Sequence, residues 1–271
     1  MNLFSIENKV ILITGGGGVL GGEMANYLLS NGATIVILDY KDDIVNAAVE
    51  KLKTIGDNVS GFVCNALEEE SLIKVSDEII AQHGKIDILI NAAGGNMPGA
   101  TIGVDQTIFD VNIDHFKKVV DLNLFGSILP AMVFGKEMVK NKQGVIINIS
   151  SMTAQSAITR VVGYSASKAA IDNFTKWLSV ELATKFGEGL RVNAIAPGFF
   201  IGNQNRNLLI DQETGNFTDR GDTIIRNTPM KRFGETDELN GTIHYLCAEA
   251  SKFVTGVVVP IDGGFSAFSG V

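Results

Sequence analysis

Cysteine and histidine are scarce in this chain, and their placement argues against several kinds of site. The 271 residues include two cysteines, Cys64 and Cys247, which lie far apart. Isolated cysteines predict small core residues rather than a disulfide or a redox pair. The three histidines, at positions 83, 115 and 244, show no metal-ligand spacing, so we expect no metal site. This pattern favours a reduced, cytoplasmic compartment.

Basic clusters and long apolar runs are also missing. The formal net charge is −8 and no run of lysine or arginine is present, which argues against a nucleic-acid partner. The sequence contains no apolar run of the ~18 residues that a membrane-spanning helix needs, and its start lacks the regions of a signal peptide. A membrane partner is therefore not expected. No linker or repeat divides the chain, so residues 1–271 are predicted to form one domain.

Glycine, by contrast, is abundant, and it clusters after the first predicted strand. Residues 9–14 predict a buried strand, residues 15–22 read Gly-Gly-Gly-Gly-Val-Leu-Gly-Gly, and a helical pattern follows to Leu29. Residues 33–38 predict a second strand, which Asp39 ends. This order is typical of a dinucleotide-binding unit. The glycines admit a pyrophosphate beside the helix N-terminus, and Asp39 can accept hydrogen bonds from ribose hydroxyls.

Strands and helices continue to alternate along the chain. Further strands are predicted at 59–63, 86–90, 145–149, 190–195 and 257–259, and helices at 68–82, 115–140, 164–182 and 235–250. This alternation predicts an α/β fold, a Rossmann-like doubly wound parallel sheet of about seven strands with helices on both faces. Asp39, Asn91, Ser151 and Pro197 each follow a strand, so we expect them to line one cleft at the carboxyl edge of the sheet.

Tyr164 and Lys168 are one helical turn apart and share a helix face. A phenol titrates near pH ~10 and an ammonium near ~10.4, and a nearby ammonium stabilises the phenolate. We therefore expect the pKa of Tyr164 to be lowered towards the range of a general acid/base. The spacing alone is common by chance, and two residues on a half-exposed helix are the alternative interpretation.

Several short motifs together resemble the short-chain dehydrogenase/reductase family over roughly residues 9–264. They are Thr14-Gly15 with Gly21, Asn91-Ala92-Ala93-Gly94, Asn123, Ser151, Tyr164 with Lys168, and Pro197-Gly198. Ser151 lies thirteen residues before Tyr164, as the family pattern requires, which favours it over Ser150. A helix cap is the other common role for a serine in this place.

The resemblance implies roles for these residues. Tyr164 would be the general acid/base, Lys168 would lower its pKa and hold the nicotinamide ribose, and Ser151 would stabilise charge on the substrate oxygen. Asn123 would hold a water that links Lys168 to solvent. Cofactor contacts are implied for Gly15, Gly17, Gly18, Val19, Leu20, Asp39, Asn65, Ala66, Asn91, Ala92, Ala93, Tyr164, Lys168, Pro197, Gly198 and Phe200.

Two positions depart from the family pattern. Val19 replaces a glycine of the phosphate turn, which puts the local geometry of that turn in question. Asn65 stands where the family usually has an aspartate that contacts adenine. We predict NAD rather than NADP, because Asp39 repels a 2′-phosphate and Gly16 offers no basic side chain. The nearby Lys41 is the main argument against that prediction.

Residues 93–101, 197–206 and 262–271 are similar to the short-chain-type D-mannonate oxidoreductases (fructuronate reductases) of bacterial hexuronate breakdown. The resemblance implies reversible reduction of the D-fructuronate ketone to D-mannonate with NADH. Asn96 and Asn203, with the two amides that follow Asn203, would bind the hydroxyls. Arg206 is the first candidate for the carboxylate and Arg160 the second. The alternative interpretation of Arg206 is a solvated side chain or one that bridges subunits. The basic pair at 231–232 is discounted, because a basic residue before Phe-Gly is common across the whole family.

The segment 199–228 is polar and irregular in pattern, and we expect it to be a substrate lid. Phe265, Phe268 and Val271 make the C-terminal tail apolar, which predicts packing at a subunit interface. The family resemblance implies a homo-oligomer, with a tetramer favoured. Two enzyme alternatives remain, a gluconate 5-dehydrogenase or a 3-oxoacyl-carrier-protein reductase. A dinucleotide-sensing or scaffolding protein is the non-enzyme alternative.

Overall fold

Seven parallel strands form one sheet, and helices cover both of its faces. The computed structural model describes residues 2–202 and 206–270. The strands are β1 (Val10–Thr14), β2 (Thr34–Asp39), β3 (Val59–Val63), β4 (Ile88–Asn91), β5 (Gly144–Ile149), β6 (Leu190–Pro197) and β7 (Val258–Ile261). Their order across the sheet is β3-β2-β1-β4-β5-β6-β7. The predicted single-domain, Rossmann-like α/β fold is confirmed.

The helices follow the predicted alternation, with several corrections. The α-helices that the structure describes are α1 (Val19–Ser30), α2 (Asp42–Lys53), α3 (Glu69–His83), α4 (Ile113–Val120), α5 (Gly126–Lys140), α6 (Val162–Phe186), α7 (Arg206–Leu209), α8 (Asp219–Asn227) and α9 (Asn240–Cys247). The sequence analysis placed no helix at α2. The single helix predicted over 115–140 is α4, a π-helical turn over Asp121–Phe125, and α5. The one predicted over 235–250 is α9 flanked by short 3₁₀ turns.

The central strands are apolar because both of their faces are buried. Every residue of β1, β5 and β6 is buried. Consecutive residues of β1 face opposite core clusters: Ile13 joins the cluster that contains Leu28 of α1, and Leu12 joins the one that contains Phe134 of α5. This is the pattern of a parallel sheet between two helical layers.

The segment Ile113–Lys140, which spans α4 and α5, is long and apolar enough to cross a membrane by length and composition. A search for an uninterrupted apolar run does not detect it, because polar residues are interspersed. Half of its most apolar window is buried within the fold. Val133, Phe134 and Met138 pack there against the sheet. The segment is therefore accounted for as a core helix.

The strand order reverses between β1 and β4, and this opens a crevice at their carboxyl ends. Thr14 at the end of β1 is in register with Leu38 of β2 and Asn91 of β4. The glycine-rich turn after β1 and the loop after β4 therefore lie side by side. In sheets of this kind, ligands bind at such a crevice.

The segment 199–228 is more ordered than its sequence pattern predicts. It contains α7 and α8, and Ile210 and Phe217 form an antiparallel bridge between them. Leu209 of α7 and Ile224 of α8 pack with Phe233 in a small apolar cluster. The prediction of an irregular segment was wrong, because two short helices with few apolar residues produce only a weak periodic signal.

Candidate active site

The glycine-rich turn is fitted tightly against the loop after β4. Gly15 has φ +64°, and a Cβ atom on it would lie 2.8 Å from Cα of Ala93. A Cβ on Gly21 would lie 2.5 Å from the carbonyl oxygen of Gly15. The Thr14 hydroxyl oxygen accepts hydrogen bonds from the N–H groups of Ala92 and Ala93, each at 3.2 Å. Gly15 and Gly21 are therefore required by close backbone contact, and Gly15 also by its left-handed conformation.

The N-terminus of α1 offers uncapped N–H groups beside this turn. Gly18 is the N-cap residue, no side chain caps the helix, and its first turn has no acid. Val19 is the first helical residue, and its side chain is 43% exposed. The departure at Val19 therefore leaves the turn intact, because a valine at the start of a helix needs no unusual backbone conformation. The glycines let the backbone approach a ligand closely, and the helix N-terminus offers uncapped N–H groups. Both features are suited to binding a pyrophosphate.

Asp39 ends β2 next to the same turn. One of its carboxylate oxygens accepts a hydrogen bond from the Gly17 N–H at 3.2 Å, and the other accepts one from the Tyr40 N–H at 2.9 Å. Lys41, the residue that argued for NADP, has its ammonium 5.1 Å from the centroid of the Tyr40 ring. The negative charge therefore lies at the turn itself, whereas the neighbouring cation is engaged by an aromatic ring.

The Asn91 side chain is buried beside the sheet and does not line the open cleft. Its side chain is 1% exposed and donates to the Asn148 amide oxygen at 2.9 Å and to the Ser127 carbonyl at 3.2 Å. It thereby joins β4 to β5 and α5. A cofactor contact of Asn91 would have to come from its backbone.

The side chain of Asn65, the second departure from the family pattern, has local partners. Its amide oxygen accepts from the Leu67 N–H at 3.0 Å, and its amide nitrogen donates to Glu68 at 2.7 Å. The neighbouring Ala66 is partly buried. An adenine contact at Asn65 would use the remaining proton and lone pair of the amide.

Pro197, Gly198 and Phe200 follow β6 on the other side of the crevice. The Gly198 N–H donates to the Ile261 carbonyl at 2.9 Å, and a Cβ on Gly198 would lie 2.6 Å from Cα of Asp262. Phe200 is 8% exposed and packs closely against Gly234. Leu20, at the start of α1, packs against the core cluster that includes Phe200. Phe200 therefore has little ring surface left for a ligand.

Tyr164 and Lys168 lie in the first two turns of α6. Lys168 is 4% exposed, and its ammonium donates to the Ile149 carbonyl at the end of β5 at 2.7 Å. The ammonium lies 5.5 Å from the centroid of the Tyr164 ring. The helix thus brings the predicted pair together, with Lys168 anchored to the edge of the sheet.

The electrostatic prediction for this pair was wrong in direction. Burial raises the pKa of Tyr164, and the hydrogen bond with Ser151 lowers it by less. Burial also lowers the pKa of Lys168 to about 8, and Asp172 opposes this shift. Burial of the phenol is the largest cause, and the Lys168 ammonium donates to the Ile149 carbonyl. Without a ligand, Tyr164 is therefore held in its protonated form.

The two adjacent serines after β5 have different partners. The Ser151 hydroxyl lies close enough to Tyr164 to lower the pKa of that phenol, and its oxygen accepts from the Thr153 N–H at 3.2 Å. Ser150 donates instead to the Asp172 carboxylate. The structure therefore brings Ser151 to the tyrosine, as the spacing predicts. Asp172 was not identified from sequence; its position one turn after Lys168 was the available signal.

Asn123 lies in the π-helical turn and is fully buried. Its amide nitrogen donates to the carbonyls of Gly95 at 2.6 Å and Val119 at 2.8 Å, and its amide oxygen accepts from the Gly95 N–H at 3.0 Å. A Cβ on Gly94 would lie 2.8 Å from the Asn123 oxygen and 3.4 Å from the Lys168 nitrogen. Asn123 therefore fixes the loop after β4 beside Lys168, and π turns are frequent at functional sites.

The predicted substrate residues differ in what surrounds them. Asn96 donates to the Thr101 hydroxyl at 2.7 Å, and its buried amide oxygen has no partner within the described ranges. Arg160 donates through Nε to the Ile102 carbonyl at 2.6 Å. Arg206 is exposed at the start of α7. Asn203 lies outside the residues that the structure describes.

The basic pair at 231–232 has structural partners, which agrees with its exclusion from the substrate site. Arg232 forms a bidentate ion pair with Glu238, with distances of 2.6 and 2.5 Å. Lys231 donates to the Arg226 carbonyl at 2.6 Å. Over residues 2–202 and 206–270, no group of three or more His, Cys, Asp or Glu side chains is suited to hold a metal ion.

The chain is similar to known oxidoreductases over almost its whole length. The family model for short chain dehydrogenases matches residues 9–213. An uncharacterized oxidoreductase of Bacillus subtilis, UxuB, is 44% identical, and the alignment covers 98% of each chain. A 2-dehydro-3-deoxy-D-gluconate 5-dehydrogenase of Pseudoalteromonas atlantica is 35% identical, with 97% of each chain covered. A structure from Haemophilus influenzae, provisionally named a D-mannonate oxidoreductase and solved with bound NAD, is 45% identical with a TM-score of 0.91, covering 98% of each chain.

Proposed function

Because the chain belongs to the short chain dehydrogenase family, we propose that it interconverts a sugar-acid secondary alcohol and its ketone with NAD(H), most specifically D-mannonate and D-fructuronate. One observation supports the reaction type. Tyr164, Ser151 and Lys168 lie close together, beside a glycine-rich turn and the uncapped N-terminus of α1. The family membership makes the chain an oxidoreductase rather than a dinucleotide-sensing scaffold. The intact catalytic set agrees with this assignment.

The hydroxyls of Ser151 and Tyr164 would share the carbonyl oxygen of the substrate. The nicotinamide, when bound, supplies the hydride for reduction and accepts it for oxidation. As negative charge develops on the substrate oxygen, Ser151 donates a hydrogen bond to it and Tyr164 donates its proton. The raised pKa of Tyr164 keeps that proton available at neutral pH. In the oxidation direction the phenol must first ionise, so alkaline pH favours oxidation.

Lys168 and Asn123 would return the proton to Tyr164 from solvent. The family resemblance implies a water at Asn123 that leads to Lys168. The Asn123 side chain is engaged by Gly95 and Val119. We therefore assign the water to its backbone carbonyl, since a π turn displaces backbone carbonyls from their usual helical partners.

Two relatives support a sugar acid as the substrate class. The protein from Haemophilus influenzae is named for D-mannonate, and the protein from Pseudoalteromonas atlantica is named for a dehydrodeoxygluconate. The second relative makes a gluconate-type 5-dehydrogenase the alternative function. A 3-oxoacyl-carrier-protein reductase needs a basic surface for its acidic carrier, whereas this chain has a net charge of −8 and no basic run.

NAD is the proposed coenzyme. The Asp39 carboxylate borders the glycine turn, where it would accept hydrogen bonds from ribose hydroxyls and repel a 2′-phosphate. The relative from Haemophilus influenzae was solved with NAD. The Lys41 ammonium, the nearest candidate for binding a 2′-phosphate, lies over the Tyr40 ring.

A cytoplasmic homo-oligomer, with a tetramer favoured, is the proposed assembly. Met132 of α5 is 52% exposed, and Trp177 and Val180 of α6 are 59% and 66% exposed. Trp177 and Val180 are three residues apart and share a helix face. An apolar face of this kind supports burial against another subunit. A monomer by light scattering would contradict the assembly.

Residues 199–228 would form a lid over the substrate. Both ends of this segment are anchored: Phe199 packs edge to face on Phe265 of the C-terminal tail at 5.2 Å, and the Thr228 side chain is buried. Between these ends α7 and α8 pack mainly on each other and on Phe233. Hydrogen exchange in this segment should slow when NADH and a sugar acid bind. Identical protection in both states would contradict a lid.

A substrate panel tests the proposed function. Purified protein with NADH is assayed against D-fructuronate, D-tagaturonate, 5-ketogluconate and an acetoacetyl thioester. We expect the highest kcat/KM with fructuronate. Activity highest with 5-ketogluconate would establish the alternative, and activity with the thioester alone would contradict the sugar-acid class.

A further inference from the structure

The loop that follows β4 is held at both of its ends, by the π turn and by the segment that precedes α6. At its start, the Gly95 N–H donates to the Asn123 amide oxygen at 3.0 Å, and the Gly95 carbonyl accepts from the amide nitrogen at 2.6 Å. At its end, the Ile102 N–H donates to the Arg160 carbonyl at 2.9 Å, and the Ile102 carbonyl accepts from Arg160 Nε at 2.6 Å. We call this second pair of hydrogen bonds the Ile102–Arg160 clasp.

Hydrogen bonds within the loop connect its two ends. The Asn96 amide nitrogen donates to the Thr101 hydroxyl at 2.7 Å, and that hydroxyl donates to the Met97 carbonyl at 3.2 Å. The Ala100 N–H donates to the same carbonyl at 3.0 Å, and Ala100 itself is buried. A displacement at Ile102 would therefore be passed to Asn96, the candidate from sequence for binding the substrate hydroxyls.

Arg160 takes part in the clasp in a strained backbone conformation. Its φ is +77°, which is costly for a residue that has a Cβ atom. A conformation of this kind persists only where surrounding contacts impose it, and the two hydrogen bonds with Ile102 are such contacts. The side chain contributes through Nε, so the clasp does not depend on the terminal nitrogens of the guanidinium.

The clasp lies at the entrance to α6, four residues before Tyr164. Within the described part of the chain, no side chain caps the N-terminus of α6. In the first turn, a Cβ on Gly163 would lie 3.1 Å from the ring of Phe116 on α4. The position of this turn, and of Tyr164 within it, therefore depends on α4 and on the segment that the clasp holds.

We propose that Arg160 is a positioning residue, whose clasp with Ile102 sets the loop after β4 at a fixed distance from the Tyr164 hydroxyl. This inference rests on the proposed function, because it assigns Arg160 a part in the reaction of Tyr164. A displacement of about 1 Å between reacting groups can lower a rate about 100-fold. The clasp would therefore support kcat, and it is separate from the substrate carboxylate, which Arg206 or the terminal nitrogens of Arg160 would bind.

Two uncharged variants of similar length separate the clasp from the charge of Arg160. The amide nitrogen of Arg160→Gln is as many bonds from Cα as Nε is, so it can donate to the Ile102 carbonyl. Arg160→Met has no donor. With D-fructuronate and NADH, Arg160→Met should lower kcat about 10-fold, and Arg160→Gln should recover most of that loss. Equal kcat values in the two variants would overturn the positioning role, and an equal rise of KM alone would assign Arg160 only to the carboxylate.

A third variant and a second residue control for stability. Arg160→Gly removes the side chain of the clasp and also the strain, so it should unfold at a higher temperature than Arg160→Met and lose at least as much kcat. Lys142 is another basic residue with positive φ, +53°, exposed before β5 at the opposite edge of the sheet. Lys142→Met should leave kcat unchanged. A kcat that follows the unfolding temperature across these variants would reduce Arg160 to a structural role.

Hydrogen exchange, measured with NADH and without substrate, separates this inference from the proposed reaction. Arg160→Met should speed exchange of the loop amides about 10-fold, as expected for one lost hydrogen bond, and Arg160→Gln should speed it less. Unchanged exchange in Arg160→Met would overturn the clasp. Faster exchange with unchanged kcat would overturn the positioning role and leave the proposed function standing. If the wild type reduces none of the ketones, the proposed function and the role of Arg160 in it both fall, and the exchange data still decide whether the clasp holds the loop.

Discussion

The cofactor half and the substrate half of this molecule differ in how their residues are positioned. In the cofactor half, strand ends and tight glycines place Asp39, Thr14 and the α1 N-terminus, all within short sequence distance of one another. In the proposed substrate half, Arg160 is held by the Ile102 carbonyl, and the start of α8 is held by the Leu208 carbonyl of α7. Local sequence thus encodes the chemistry that the family shares, whereas specificity arises from contacts between distant segments.

The largest effect is expected from Tyr164, the proposed catalytic acid, which lies between the two halves. Tyr164→Phe removes the proton donor and should lower kcat by about 10²- to 10⁴-fold. NADH binding should persist, since the ring and Lys168 remain. Tyr27→Phe, far along α1, is the matched control and should retain full activity. Steady-state kinetics and NADH fluorescence measure both, and a kcat within a few-fold of wild type would remove Tyr164 from the mechanism.

The adjacent serines give the next largest contrast. Ser151→Ala should lower kcat by roughly 10²- to 10³-fold, the effect of deleting one donor to a developing oxyanion. Ser150→Ala should stay within a few-fold of wild type, because Ser150 contacts Asp172 and not Tyr164. The same assay measures both variants. Equal losses of kcat in the two serine variants would indicate that the conformation of the loop after β5, rather than the Ser151 hydroxyl, supports the reaction.

A smaller effect tests the cofactor half alone. Asp39→Ala removes the charge that opposes a 2′-phosphate and should lower the ratio of kcat/KM for NADH over NADPH by about 10-fold, which corresponds to ~1.4 kcal/mol. Asp42→Ala, at the exposed start of α2, should leave the ratio unchanged. A wild-type enzyme equally efficient with both coenzymes would already refute NAD preference.

The smallest effect is a shift along the pH axis. Burial gives Lys168 a pKa of about 8, and Asp172 counteracts that burial. Its ammonium is charged below that pH, so NADH affinity should weaken as the pH rises through about 8. Asp172→Asn removes the charge that favours the ammonium, so the transition should move to lower pH. Fluorescence titration measures it, with the exposed Asp77→Asn as control; an unmoved or higher midpoint would contradict the coupling.

Much of the fold, and the residues of the proposed catalytic set, could be predicted from sequence. Continuous apolar runs identify strands buried on both faces, and the family motifs locate Ser151, Tyr164, Lys168 and Asn123 beside one crevice. Helix ends were less accurate, because the π turn at Asn123 interrupts a pattern that reads as one helix. The weak periodicity of 199–228 concealed α7 and α8.

Electrostatic detail could not be predicted from spacing. The distance between Tyr164 and Lys168 along the helix does not reveal that Lys168 donates to Ile149 or that burial raises the pKa of Tyr164. Asp172 was missed for the same reason. Its carboxylate accepts from Ser150, 22 residues earlier in the chain, and only tertiary packing brings the two together.

A crystal structure of the enzyme with NADH and D-mannonate tests the account most directly, because this complex cannot react. The account predicts the C5 hydroxyl oxygen of mannonate within about 2.6–3.2 Å of both the Ser151 and Tyr164 hydroxyls. It also predicts the carboxylate at Arg206 or Arg160, the two candidates from the sequence. A carboxylate bound elsewhere, or a sugar hydroxyl that reaches neither Ser151 nor Tyr164, would contradict it.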